Sequence, residues 1–405
     1  MTKITPIQAS QIAIENYGII AESIKLDGYV DENYLLKTST GEKFLLKISS
    51  GQSTNSVEEN NGQLDFQIQI LKHLSEQSTL ISFSEVISNK NGNSLTPLLN
   101  NETARVLTWL PGRLWATVNP KTHTLRNNLG EAAGNLTNAL QNFDHPNAHR
   151  ELNWDLANSA WTKAHINRFS GTQKDIIAYF QNQFDEIQEE YKNLPKSIVH
   201  NDLNDYNILV SEDFHSPAVT GFIDFGDAVY TQTINDLAIV LAYAIMDLPD
   251  PLAAALDVVK GYNKYYKFSE EELKCLYTLV GMRLVITLTS ASLKKAEFPN
   301  DEYFVISEKP AWSLLQKWVK VNENFAYYSF RNACEFSAHP LQNKFESWAK
   351  SNRISLKTLF PSVPSKLVVN LDMSIDSTLL GNFSEYNDPE VSEFKLKQFR
   401  KQHPK

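Results

Sequence analysis

His200-Asn201-Asp202-Leu203-Asn204-Asp205-Tyr206-Asn207, followed by Ile223-Asp224-Phe225-Gly226-Asp227, is the stretch on which the reading of this chain turns. Transfer of a phosphoryl group from a nucleotide needs little covalent help from a protein. It needs a carboxylate to orient the acceptor hydroxyl and take its proton, oxygen ligands for a divalent metal, and a cation on the phosphates. The His-x-Asp-x-x-x-x-Asn spacing supplies the first two: Asp202 as base and Asn207 as a carbonyl donor at the head of the next strand. Asp224, returning on a second strand, supplies the carboxylate. Mg²⁺ takes hard oxygen ligands and keeps several waters, so one amide and one carboxylate suffice. Taken singly, these residues are ordinary turn formers; their joint spacing points to chemistry.

Outward from this hairpin the chain divides into two patterns. Upstream, Ser23–Leu26, Asn33–Thr38, Lys43–Ser49, Ser82–Ser88 and Ala104–Trp109 read as strands, with Thr40-Gly41 as a hairpin turn. Leu64, Ile68, Leu71 and Leu74 mark one helix among them. Beyond the Leu110-Pro111-Gly112 break the periodicity is helical: 122–143, 156–169, 172–191, 234–246, 252–265, 270–294 and 311–325. The expected fold is therefore α+β and bilobal. Residues 1–110 form a nucleotide-binding sheet lobe and 111–335 a helical lobe carrying the hairpin. Residues 336–405 form an extension.

Composition sets limits. Apolar residues make up 42% and charged residues 21%, and 38 basic against 47 acidic side chains leave a net charge of −9. That balance disfavours nucleic acid and anionic membrane as partners. The most apolar run, Leu237–Met246, is too short to span a bilayer, and no signal peptide opens the chain, so the expected location is cytoplasmic. Cys275 and Cys334 stand in no metal-ligand or disulfide spacing and are expected as reduced thiols.

The segments Ser197–Val210 and Gly221–Ala228 resemble the aminoglycoside-phosphotransferase/choline-kinase superfamily, most closely its hydroxylysine-kinase branch. The resemblance extends over residues 1 to about 335 and implies a protein-kinase-like fold. It implies Asp202 as catalytic base, Asn207 and Asp224 as Mg²⁺ ligands, and ATP or GTP as donor. Asp236 falls where the family braces the catalytic loop, and His200 is expected to orient the loop by hydrogen bonding. Phe44-Leu45-Leu46-Lys47-Ile48 resembles the strand carrying the phosphate-binding lysine, so Lys47 is assigned to the phosphates. Gly28, in the loop Asp27–Asn33, would let backbone approach them. The helix position that carries a glutamate partner in many kinases falls on Gln67, with Asp65 the near carboxylate. Thr108 and Leu110 would offer backbone groups to the purine.

The acceptor is expected to be a small hydroxylated amine: hydroxylysine-like, homoserine-like, ethanolamine- or choline-like, or an aminoglycoside. Trp154, Asp155, Arg283 and Trp312 are the candidate contacts; Arg283 interrupts an apolar helix and is either paired internally or reaches the cleft, where a substrate carboxylate would be its partner. The stretches 331–334 and 368–374 resemble the linker of longer fusion proteins in which such a kinase precedes a metallopeptidase-like module and a pyridoxal-phosphate aminotransferase-fold module, the latter a phospho-lyase for the phosphorylated amine. Two other readings stand beside this one, a catalytically silent kinase-fold binding module and a protein kinase. The full set of Lys47, Asp202, Asn207 and Asp224 argues against the first. The lack of an Ala-Pro-Glu element after Asp224 argues against the second.

Overall fold

A computed structural model describes residues 4–28, 31–50, 57–298, 307–344 and 347. The sequence stretch 368–374 lies outside them, as do Tyr29 and Val30 of the expected phosphate loop. Two compact units divide the chain, the first running to Glu323 and the second from Asn324.

The first unit opens with α1 (Pro6–Ile12), started by a capping box in which Thr5 and Gln8 satisfy each other's backbone N–H groups. Strands β1 (Ala21–Leu26), β2 (Glu32–Thr38) and β3 (Lys43–Ser50) follow, then helix α2 (Val57–Ser75). The short strands β4 (Val86–Ile87) and β5 (Thr96–Pro97) lead to β6 (Glu102–Thr108). These strands form one antiparallel sheet in the order β1-β2-β3-β6-β4, with β5 also on β6. Register puts Lys47 of β3 directly opposite Arg105 of β6. The expected strand over 82–88 contracts to its last part. Ser82 instead bridges Gly221, its N–H bonding Thr220 O at 2.9 Å.

The helical lobe begins with β7 (Arg113–Leu114) and α3 (His123–Leu140). The expected helix over 156–169 is a series of 3₁₀ turns, Leu156–Arg168. Next come α4 (Gly171–Glu186), α5 (Gln188–Lys192), β8 (Lys196–Val199), β9 (Ile208–Val210), β10 (Val219–Phe222) and β11 (Val229–Gln232). The hairpin expected from sequence is β9–β10. It gains β7 as a third strand, while β8 and β11 pair separately. Helices α6 (Ile234–Ala244), α7 (Pro251–Tyr262), α8 (Glu270–Glu297) and α9 (Glu308–Trp318) complete the lobe.

Burial explains the helix sequences. Every residue of α6 is buried, including the polar Asn235 and Asp236 of its first turn. Helix α8 is long and apolar enough to cross a membrane, yet 83% of its apolar window is buried inside the fold, so it is a core helix. Helices α3 and α7 approach closely through glycines. A Cβ on Gly130 would lie 2.0 Å from Val258 O, and one on Gly261 2.0 Å from Asn127 O. The second unit holds α10 (Glu323–Ala333), where Arg331 donates to the carbonyls of Ser337 and Ala338.

Candidate active site

Strand β8 ends at Val199 and delivers His200 into a buried position. Its Nε2 donates to Ile223 O at 3.0 Å, which leaves Nδ1 to accept from the N–H of Asp202 at 3.3 Å. Burial pushes the imidazole down to about 4, so it is neutral near pH 7. One neutral ring thus ties the loop after β8 to the end of β10. Asn201 follows in the left-handed region, φ 64°, a conformation Asn tolerates better than most residues. Its N–H reaches Oδ1 of Asp236 at 3.3 Å, while Thr137 Oγ1 donates to the other oxygen at 3.4 Å. Asp236 is buried, and burial raises its pKa to about 7. These are the bonds expected of a loop brace.

Asp202 sits where this loop crosses the lobe. Oδ2 accepts from the side-chain amides of Asn204 and Asn207, both at 2.9 Å. Oδ1 accepts from Nη2 of the fully buried Arg283 at 2.8 Å. The Asp202 side chain keeps 23% of its surface exposed, enough for an acceptor hydroxyl to reach it. Burial raises its pKa to about 7, against the pull of Arg283. A base poised there suits proton transfer near neutral pH.

Asn207 spends its amide nitrogen on the Asp202 carbonyl and carboxylate. Its carbonyl oxygen is therefore the end available as a metal donor. Asp224 also has positive φ, 64°, and caps the 3₁₀ turn Phe225–Asp227 through Gly226 N. Its Oδ1 lies 3.3 Å from Lys47 Nζ, which is the main cause of its lowered pKa. Two hard oxygen donors, one held ionised, fit Mg²⁺. Asp227 adds a third acidic group. Its pKa is raised by burial and by Asp224, with Arg150 and Arg283 opposing. Arg150, which sequence reading missed, donates to the carbonyls of Gly226 at 2.6 Å and Ala228 at 2.8 Å. It clamps the segment that carries Asp224 and Asp227.

On the sheet side the expected lysine is present but its expected partner is not. Lys47 Nζ lies 3.4 Å from Oδ2 of Asp31. Gln67 gives its amide oxygen to Arg105 Nη2 at 3.0 Å rather than to Lys47. Asp65 faces His145 Nε2 at 3.2 Å. Gly28 has a packing role within its loop, since a Cβ there would meet Asn33 Nδ2 at 2.4 Å and Asp31 O at 2.5 Å. At the hinge, the N–H of Thr108 is spent on Glu85 O.

Of the four candidate acceptor contacts, Arg283 bonds Asp202 and Trp154 packs against Arg283. Arg283 Nη1 donates to Trp154 O at 2.9 Å, and its guanidinium stands over the Trp154 and Tyr243 rings at 5.1 and 5.5 Å. Of the two roles left open for Arg283, an internal pair or a cleft contact, the structure shows the pair, with Asp202. The reading of Asp155 as an acceptor contact is corrected. It is buried, capping Ala157 N and accepting from Thr231 and Asn235, so its carboxylate is consumed by structure. Trp312 packs edge-on against Phe169 at 5.7 Å.

A partly exposed carboxylate, two oxygen donors and a lysine brought together in this way are the parts that a phosphoryl-transfer site needs. A model of the phosphotransferase enzyme family matches residues 24–271. The chain belongs to this family. Hydroxylysine kinase of Xenopus laevis is 29% identical over 336 residues, covering 76% of this chain and 88% of that protein. Homoserine kinase of Zymomonas mobilis is 26% identical over 237 residues, covering 57% and 70%. Among solved structures, a microcompartment-associated aminopropanol kinase superposes with a TM-score of 0.58 at 15% identity, over 81% of this chain and 98% of that one. Amicoumacin kinase, in complex with AMP-PNP, Ca²⁺ and Ami, gives 0.57 at 16% identity, over 76% and 92%. At such identities these two share the fold. This phosphotransferase-family member is a small-molecule kinase acting on a hydroxyl acceptor.

Proposed function

We propose that this kinase moves the γ-phosphoryl group of ATP or GTP to the hydroxyl of a small hydroxy-amino acid or amino alcohol in the cytoplasm. The observation that carries the reading is Asp202, partly exposed and held by Asn207 on one oxygen and Arg283 on the other. Three of the carboxylate's lone-pair directions are occupied by fixed donors, leaving it oriented to accept the proton of a hydroxyl. Lys47 neutralises phosphate charge from the sheet side. Asn207 and Asp224 would hold Mg²⁺, which when bound supplies charge neutralisation at the phosphate oxygens. The purine would take backbone groups at Leu110 and the carbonyl of Thr108, whose N–H is already bonded to Glu85 O.

For the acceptor, the acidic groups Asp202 and Asp227 suit an ammonium-bearing substrate, while the faces of Trp154 and Tyr243 are taken by the Arg283 guanidinium. The relatives named hydroxylysine kinase and homoserine kinase support a hydroxy-amino acid ahead of choline. The sequence likeness of 368–374 to a fusion linker supports a pyridoxal-phosphate phospho-lyase as consumer of the product. The test is nucleotide turnover with Mg²⁺ and ATP or GTP against a panel of hydroxylysine, homoserine, ethanolamine, aminopropanol, choline and an aminoglycoside. Turnover with a hydroxy-amino acid is expected. Inactivity with every amine would sink the proposal.

A further inference from the structure

Lys47 and Arg105 are direct partners across β3 and β6, so their side chains leave the same face of the sheet. Both are buried, Lys47 at 7% and Arg105 at 2% exposure. Two cations so placed repel unless an anion lies between them. That anion is Asp31, whose Oδ2 is 2.8 Å from Arg105 Nη2 and 3.4 Å from Lys47 Nζ. Ser49 Oγ donates to the other Asp31 oxygen and accepts from Arg105 Nη1 at 2.7 Å, closing a buried network. Among the described residues, the remaining carboxylate on Lys47 is Asp224. Asp224 is also the proposed metal ligand, so metal binding would compete for it. Protein kinases meet this requirement with a glutamate on the helix after the lysine strand. Here that helix presents Gln67, which hydrogen-bonds Arg105 and carries no charge.

We infer that Asp31 is the positioning carboxylate of Lys47, supplied by the turn between β1 and β2 instead of by helix α2. Loop and lysine are thereby one electrostatic unit, and α2 is released from the task. Arg105 anchors Asp31 from behind, so the carboxylate keeps its place when Lys47 turns to phosphate. Burial opposes ionisation of Asp31, but the two cations hold it at about 2, so it is charged throughout the working pH range. The inference rests on the reading of Lys47 as the phosphate-binding residue.

The test is calorimetric binding of Mg²⁺ with AMP-PNP, and separately with GMP-PNP, to the full chain. Whichever nucleotide binds the wild type is carried forward. Asp31→Asn is expected to weaken binding about tenfold, the order expected for loss of a charge-assisted contact. Asp31→Asn/Gln67→Glu returns a carboxylate to this buried network from helix α2 and is expected to recover most of the affinity, with the melting temperatures of the wild type and both variants followed so that restored stability and restored affinity are read separately. Unchanged affinity in Asp31→Asn, or a folded double variant no better than the single, overturns the inference. Should the single variant not fold, the charge-balanced double variant decides: near-wild-type affinity supports, weakened affinity overturns. Lys47→Met separates the two levels. Normal binding by Lys47→Met removes the reading of Lys47 itself, whereas weak binding there with normal binding in Asp31→Asn removes only the role of Asp31.

Discussion

Nη2 of Arg283, on the buried helix α8, donates to Oδ1 of Asp202 at 2.8 Å, so the proposed base is paired with a cation from the core. Breaking a buried pair by removing one member leaves an uncompensated charge. The pair therefore sets both the orientation of Asp202 and the pH at which it works.

Substituting Asp202 by Asn keeps the shape and removes the proton acceptor. Turnover should fall by roughly 10²–10⁴-fold, the range for loss of a general base. Nucleotide binding, followed by calorimetry, should stay within about threefold, because Lys47 and Asp224 are untouched. Turnover within a few-fold of wild type would remove Asp202 from the mechanism.

With Asp202 near 7, kcat/KM should rise with pH along an acid limb and level off above neutrality. Arg283 favours the ionised carboxylate, so Arg283→Met should move that limb to higher pH. One unit of displacement costs about fivefold in ionised Asp202 at pH 7. Arg283→Lys keeps the charge and should leave the limb close to its original place. A pH–rate profile of the three proteins checks this, with melting curves to confirm folding.

Asp236 makes a separate prediction about stability. Burial raises its pKa to about 7 from an ordinary value of 3.8. The folded chain therefore holds a proton that the unfolded chain has lost across that interval, and this group's contribution to stability declines as pH rises through it. Asn at 236 has no such titration and still presents an oxygen to Asn201 N. The melting temperature of Asp236→Asn relative to wild type should climb between about pH 4 and 7, then flatten. A difference independent of pH would contradict it.

Arg150 holds the carbonyls on either side of Asp227. Arg150→Ala should raise the Mg²⁺ concentration for half-maximal activity by roughly 10–100-fold, as outer partners of metal ligands commonly do. An unchanged metal requirement in a folded variant would mean that the clamp serves stability alone.

Much of this was legible in the linear chain. His200 to Asn207 is a local loop, and its roles follow from spacing because neighbours in sequence are neighbours in space. Asp224 followed from the hairpin, and Lys47 from its place on a strand ahead of the first long helix. The readings that needed correction depend on partners far away. Gln67 was matched to Lys47 by position along α2, yet strand register put Arg105 within its reach. Asp155 looked available beside Trp154, but burial against Thr231 and Asn235 consumed it.

The sequence by itself determined the reaction class and pointed to the proposed base and metal donors, because those depend on residue type at short spacing. Only the tertiary structure decided which charges meet. It set Asp31 between Lys47 and Arg105, and it set Arg283 on Asp202 from a helix 81 residues further along the chain. Electrostatic partnership acts over a few ångströms in a space of low dielectric. Strand pairing and helix packing create that proximity, and no local pattern in the chain records it.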